Sequence, residues 1–264
     1  MPGSGIRIPY DINGRTRELS AYILNPARKP ICQINGSMRF DVSAKFNDIS
    51  EINFEVARYS TNASTMESQE TAAYKYLHSF CQILVPELGN YGYFIIHEEP
   101  TITAQSTKEE SKTFTAKSYE SVLEFENLVL FHINEGTETS KEMYEENLDT
   151  LGFPTRKVQL FNETNKKLSL LDLVLADDYY GWQVGHVDTS IKGLERSFEI
   201  DNQNVYSFLR SDVTKAFRCL IDFDTKNKLI NAYDIETVGS DTNIYLSIEH
   251  YLDEISIAPH SENC

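Results

Sequence analysis

The strongest constraint on the fold is a set of short period-two runs. In Glu51-Ile-Asn-Phe-Glu-Val-Ala57, apolar Ile52, Phe54 and Val56 alternate with polar neighbours, and Met38 to Phe46 follows the same rhythm. Successive side chains of a strand point to opposite faces, so such runs mark half-buried strands. Asn35-Gly36 and Asn47-Asp48 interrupt them, and the region from Ser20 to Tyr59 therefore predicts an antiparallel sheet.

Further along, Tyr93-Phe-Ile-Ile-His97 predicts a buried strand and Thr113 to Ser118 another, across the polar turn Gln105 to Glu110. A helix is expected from Ser64, with Glu67 three residues later as a capping pair. Its apolar stripe would be Ala73, Tyr76, Leu77, Phe80 and Leu84, ending at Pro86 and Gly89. A short helix over Ser118 to Asn127 and a strand over Leu128 to Ile133 follow.

Gly136 to Ser140 resembles a linker, and Thr139 with Glu142 would cap a helix holding Met143, Tyr144, Leu148 and Leu151. A helix over Leu168 to Ala176 precedes the strand Gly181-Trp-Gln-Val-Gly-His-Val-Asp188. Next come a strand from Arg196 to Ile200, a helix capped near Asp201 or Asn202, and two strands paired across Thr225 to Lys228. A strand over Ile244 to Leu246 and a helix over Ile248 to Ile255 close the pattern. The fold class expected is α+β and β-rich, in several small domains: 1–135 with a helical insertion at 66–86, a small α-rich unit over 136–192, and a second β-rich unit over 193–264.

The 264 residues are 41% hydrophobic, with 15 Tyr and 14 Phe against one Trp, enough apolar surface for a packed core. Forty acidic side chains against 24 basic ones give a net charge of −16, which repels phosphate backbones and anionic lipid and disfavours tight nucleic-acid binding. The N-terminus lacks an apolar leader and no run approaches the ~18 apolar residues of a membrane span, so a soluble protein made in the cytoplasm, without a membrane anchor, is expected. The triplets at Asn35, Asn62 and Asn162 fit the glycosylation pattern but gain no weight without a secretory signal.

Catalytic and metal signatures are not found. Cys32, Cys81, Cys219 and Cys264 show no CxxC spacing, and the first three are expected to be buried free thiols. His78, His97, His132, His186, His250 and His260 form no HxH or HExxH pair. The acidic pairs Asp177-Asp178 and Asp222/Asp224 could converge, but the latter lies at a hairpin mouth facing Lys226 and Lys228, where carboxylates cap turns and pair across strands. No catalytic, cofactor-binding or metal-ligating residue is assigned. Tyr179, Tyr180 and Trp182 form an aromatic cluster suited to an inter-domain or inter-subunit contact, with sugar stacking on Trp182 as the alternative.

Six segments occur in an order that resembles the N-terminal region of phage tail-tip proteins, a family of tail-associated lysins, minor structural proteins and tail spike proteins. They are Gly92 to His97, Lys112-Thr-Phe-Thr-Ala-Lys-Ser-Tyr-Glu-Ser-Val-Leu123, Gly181 to Asp188, Arg196 to Ile200, Phe217 to Thr225, and Val238 to Ser247. The resemblance spans about Glu18 to Ile257 and rests on order, since each segment alone is degenerate. It implies a baseplate hub: a homotrimer of β-rich domains, two of them barrel-like, at the virion tail tip. Its implied partners are the distal tail or tail tube protein and the tape measure protein. DNA would pass through without being held tightly. Family members usually continue into peptidase, lysozyme-like or receptor-binding modules, so a chain ending at Cys264 would be a minimal hub or a truncation whose last sheet lacks partners. A cell-wall-degrading lysin and a carbohydrate-binding adhesion module are the alternatives.

Overall fold

A computed structural model describes residues 6–8, 17–34, 37–43, 45, 48–61, 67–106, 109–133, 157–176 and 180–238. The chain is α+β and rich in strands, which form several mostly antiparallel sheets joined by short helices. No helix among the described residues is long and apolar enough to cross a membrane.

The main sheet has eight strands. Seven run, in spatial order, as Pro30–Gln33, Tyr22–Leu24, Gln82–Leu84, Tyr93–Ile96, Glu109–Ser118, Glu51–Ala57 and Ser37–Ser43. The long strand Glu109–Ser118 organises it: one edge pairs with Glu51–Ala57, and the other is shared between Thr101–Ser106 and Tyr93–Ile96. In Glu51–Ala57 the alternation seen in the sequence becomes burial, with Ile52, Phe54 and Val56 inside. Phe54 stacks on Phe114 with ring centroids 5.3 Å apart, directly across the ladder.

The sheet is covered on both faces. Phe94 and Ile96 join the core built on Ile23, Ile52, Phe54, Ile83 and Phe114, whereas Ile95 points the opposite way into a second core with Tyr119, Leu123, Trp182, Phe208 and Ile221. A strand buried on both sides must be apolar at every position, which is why Tyr93 to Ile96 shows no alternation.

The second core is closed by smaller elements. Asn127–Ile133 pairs with Phe198–Asn204, joining a strand from the end of residues 1–135 to one from residues 193–264. The hairpin Cys219–Asp224/Leu229–Asp234 forms as expected, and Gln183–Val187 joins it parallel to Leu229–Asp234. A parallel neighbour needs a long crossover. Residues 188–228 supply it, including a continuous helical stretch over 205–217 that contains a π-helical stretch, Phe208–Val213.

Three expectations are corrected. No closed barrel is formed among the described residues: Pro30–Gln33 and Ser37–Ser43 stand at opposite ends of the main sheet's pairing order, so the sheet is open where two barrel-like units were expected. The helix expected over 66–86 is instead a strand at Ser68–Glu70, a single turn at Ala72–Tyr76 and a strand at Gln82–Leu84. Ile83 pairs there with both Ile23 and Phe94 and is fully buried, so two ladders outweigh the helical periodicity. The expected stripe divides accordingly: Ala73 and Leu77 are buried, Tyr76 and Phe80 exposed. The helix expected to begin at Asp201 or Asn202 begins later, because the strand runs on to Asn204, whose side chain accepts from the Ser207 amide as the cap.

The linker and helix expected between Gly136 and Leu151, the closing strand and helix after Ile244, and Cys264, His250 and His260 lie outside the described residues. Cys81 and Cys219 are buried free thiols as expected, while Cys32 is half-buried. Burial pushes the Cys219 thiol up to about 11.

Candidate functional site

The region where the two cores meet combines a cleft with long-range polar contacts. Its floor is the 3-10 helix Tyr119–Phe125, whose first five residues are all buried. Burying consecutive residues forces polar side chains inward with the apolar ones, here Glu120 and Ser121. The Ser118 hydroxyl donates to Glu120 Oε1 at 2.7 Å, and Ser118 is itself fixed because its Oγ accepts from the Ser50 amide at 3.0 Å. Glu120 Oε2 is buried with no hydrogen-bond partner among the described residues. Burial raises the pKa of this carboxyl above its ordinary value, and the nearby Arg210 charge offsets only part of that shift.

The wall opposite is the hairpin. Asp224 accepts from the Asn227 amide at 2.9 Å and from the Asn227 side chain at 2.8 Å, capping the turn. Asp222 accepts from Asn231 Nδ2 across the ladder at 3.1 Å. The two carboxylates thus serve turn capping and cross-strand pairing, the role their setting in the sequence favours. Burial, and then the Asp222 charge, push the Tyr91 phenol up to about 12. Arg210 donates Nη1 to the Ile221 carbonyl at 2.6 Å and lies over the Phe223 ring at 4.7 Å. Glu120, Tyr91, Arg210, Asp222 and Phe223, with Lys45, Asp48, Leu88, Phe94 and Leu220, line a cleft of about 410 Å³.

Arg28 closes the end of the junction. It sits in the turn between Tyr22–Leu24 and Pro30–Gln33 with φ +58°, and its Nη1 donates to the carbonyls of Thr225 and Lys226 at 3.0 and 2.7 Å. Its guanidinium also lies over the Tyr93 and Tyr119 rings at 4.6 and 4.5 Å. The Thr225 hydroxyl donates to the Asn90 carbonyl at 2.8 Å, and the Lys226 amide donates to the same oxygen at 3.0 Å.

Trp182 is 3% exposed and packs inside the chain, 5.7 Å from Phe223 and 6.1 Å from Tyr119 between ring centroids. Tyr180 is half-buried against the same core, and its carbonyl accepts from Lys228 Nζ at 2.5 Å. Tyr179, like Asp177 and Asp178, lies outside the described residues.

Among the described residues the histidines are separately engaged. His97 Nε2 lies 2.7 Å from Ser121 Oγ, a serine–histidine contact in which Ser121 is 0% exposed and so closed to substrate. His132 pairs with Asp201 at 2.9 Å, and His186 with Asp188 at 2.7 Å. Among the described residues no three His, Cys, Asp or Glu side chains are grouped to hold a metal ion.

Arg28, Tyr91, Glu120 and Arg210 were not anticipated from the sequence. Arg28 and Tyr91 act on residues far along the chain, 198 positions away for Arg28 and Lys226, and Arg210 reaches Ile221 from another element, so no local spacing encodes these pairings. The one local trace is the Ser-Tyr-Glu-Ser run at 118–121, in which Ser118 reaches Glu120.

The sequence matches no protein-family profile and no curated protein. Among solved structures the chain is similar to the tail protein from Neisseria meningitidis MC58, at 6% identity and a TM-score of 0.43 over 81% of this chain and 50% of that one. It is also similar to the 43 kDa tail protein of prophage MuSo2 from Shewanella oneidensis, at 8% identity and a TM-score of 0.39 over 82% and 56% of the two chains. The chain spans about half the length of these solved structures.

Proposed function

We propose that this chain is a structural component of a phage tail: a trimeric hub at the tail tip that closes the tube and lets DNA pass, with no catalytic step of its own. Any cell-wall hydrolysis would belong to a separate module. The observation that carries this reading is the set of large apolar side chains left at the surface. Phe80 is 70% exposed and Val129 66%, and Phe125 and Leu130 are also exposed.

Two of these cluster at one strand end. The Phe80 amide donates to the Ile96 carbonyl, and the Phe125 ring meets His97, the next residue, at 4.9 Å. Grouped apolar side chains at a surface mark protein contacts. Phe80 and Leu130 are also held at φ +64° and +51°, a conformation unfavourable for bulky residues. Strain kept at exposed apolar positions fits side chains presented to a neighbour. The six ordered segments of the sequence point the same way.

The test is the mass of the purified chain by light scattering at low and moderate salt. A trimer whose fraction rises with salt is expected, since subunits of −16 repel one another and salt screens that repulsion. A monomer at every salt concentration, together with absence of the chain from purified tail particles by mass spectrometry, would overturn the reading.

A further inference from the structure

The cleft between the two cores carries an acidic group that the fold leaves incomplete. Glu120 is 6% exposed, Ser118 satisfies one of its oxygens, and Oε2 has no partner among the described residues. A buried carboxyl with an unpartnered oxygen costs stability unless something at the site compensates it.

The other charged groups around the cleft are Asp222, Asp48, Lys45 and Arg210. Lys45 lies 3.8 Å from Asp48. Arg210 is fixed by the Ile221 carbonyl and the Phe223 ring. Its charge does act on Glu120 but is outweighed there by burial. Burial holds Glu120 toward its neutral form, and a cation entering the cleft would favour the ionised form, the third carboxylate there against two engaged cations. Val42, Leu88, Phe94, Leu220 and Phe223 supply apolar wall. A space of about 410 Å³ takes a short aliphatic stem with a polar head.

We propose that this cleft is a binding site for an alkyl cation, a guanidinium or ammonium on an aliphatic stem, with Glu120 as its counter-charge and the apolar wall around its stem. A guanidinium suits a carboxylate because its planar fork offers several donors at once. The same chemistry could arrive as a free small molecule or as an arginine side chain of a docking protein, and the overall charge of −16 attracts either.

The experiment titrates the whole chain with n-butylguanidinium and, as the neutral control, n-butylurea, followed by calorimetry and by the carboxyl carbon signal of Glu120 in NMR. A blocked Gly-Arg-Gly peptide forms a second arm. Expected are saturable binding of the cation but not the urea, a Glu120 carboxyl titration moved to lower pH by the bound cation, and binding at least about tenfold weaker in Glu120→Gln, the size of one lost charge-assisted contact. Tighter binding of the peptide than of n-butylguanidinium would assign the site to a partner's side chain, and the reverse to a small molecule. The Glu120 signal is read on the unaltered chain, so a misfolded variant does not spoil the result. A Glu120 titration unmoved by the cation, or equal affinity for n-butylguanidinium and n-butylurea, would overturn the proposal.

Discussion

Arg28 Nη1 donates to the carbonyl oxygen of Lys226 at 2.7 Å, across 198 residues of chain. The same nitrogen reaches the Thr225 carbonyl, and the guanidinium lies over Tyr93 and Tyr119, so one side chain from the main sheet holds the hairpin turn of the second core.

Replacing Arg28 should therefore loosen the junction. A charged donor bonded to carbonyls and stacked on aromatic rings contributes about 2–4 kcal/mol in total. Arg28→Ala should lower the unfolding free energy from denaturant titration by that amount without changing secondary structure. Arg28→Lys should recover less than half, because an ammonium lacks the planar fork. Full recovery by lysine would show that charge alone matters.

Trp182→Ala should cost about 3–5 kcal/mol, as for other large aromatics removed from a packed core. Trp182→Phe should cost much less, since it preserves the contacts with Tyr119 and Phe223. Thermal unfolding followed by circular dichroism checks both. An unchanged midpoint in the alanine variant would mean that the ring packs against nothing that matters for stability.

Phe80→Gly separates folding from assembly. Glycine accepts φ +64° freely, and the phenylalanine ring is mostly in solvent, so the isolated chain should gain about 1 kcal/mol. If Phe80 serves a subunit contact, the same variant should show a smaller oligomer fraction by light scattering. A more stable chain with undiminished oligomer would remove Phe80 from the interface.

Two carboxyl groups should shift stability with pH in opposite directions. Glu120 has a folded pKa above its ordinary 4.5, so its favourable contribution is present below that value and is lost as pH rises through the folded pKa. Glu120→Gln should gain stability relative to the unaltered chain as pH rises through this window. Asp188 accepts from the Asp234 amide at 2.8 Å, which, with help from His186, holds its folded pKa below 3.8. Its contribution is present above 3.8 and is lost as pH falls through the folded value, so Asp188→Asn should cost most at neutral pH and least in strong acid. Unfolding midpoints at several pH values check both slopes.

The sequence by itself determined the strands whose register is local. The alternation in Glu51–Ala57, the apolar run Tyr93–Ile96 and the turn between Cys219–Asp224 and Leu229–Asp234 all carry their own signal, because side-chain period and turn residues act over a few positions. Only the tertiary structure decided that Gln82–Leu84 is a strand, since its stability comes from Tyr22–Leu24 and Tyr93–Ile96 on either side. It likewise decided that the main sheet stays open, that Asn127–Ile133 pairs with Phe198–Asn204, and that Glu120 lies buried between two cores. Each of these depends on contacts between residues distant in the chain, whose energies no local pattern of residues encodes.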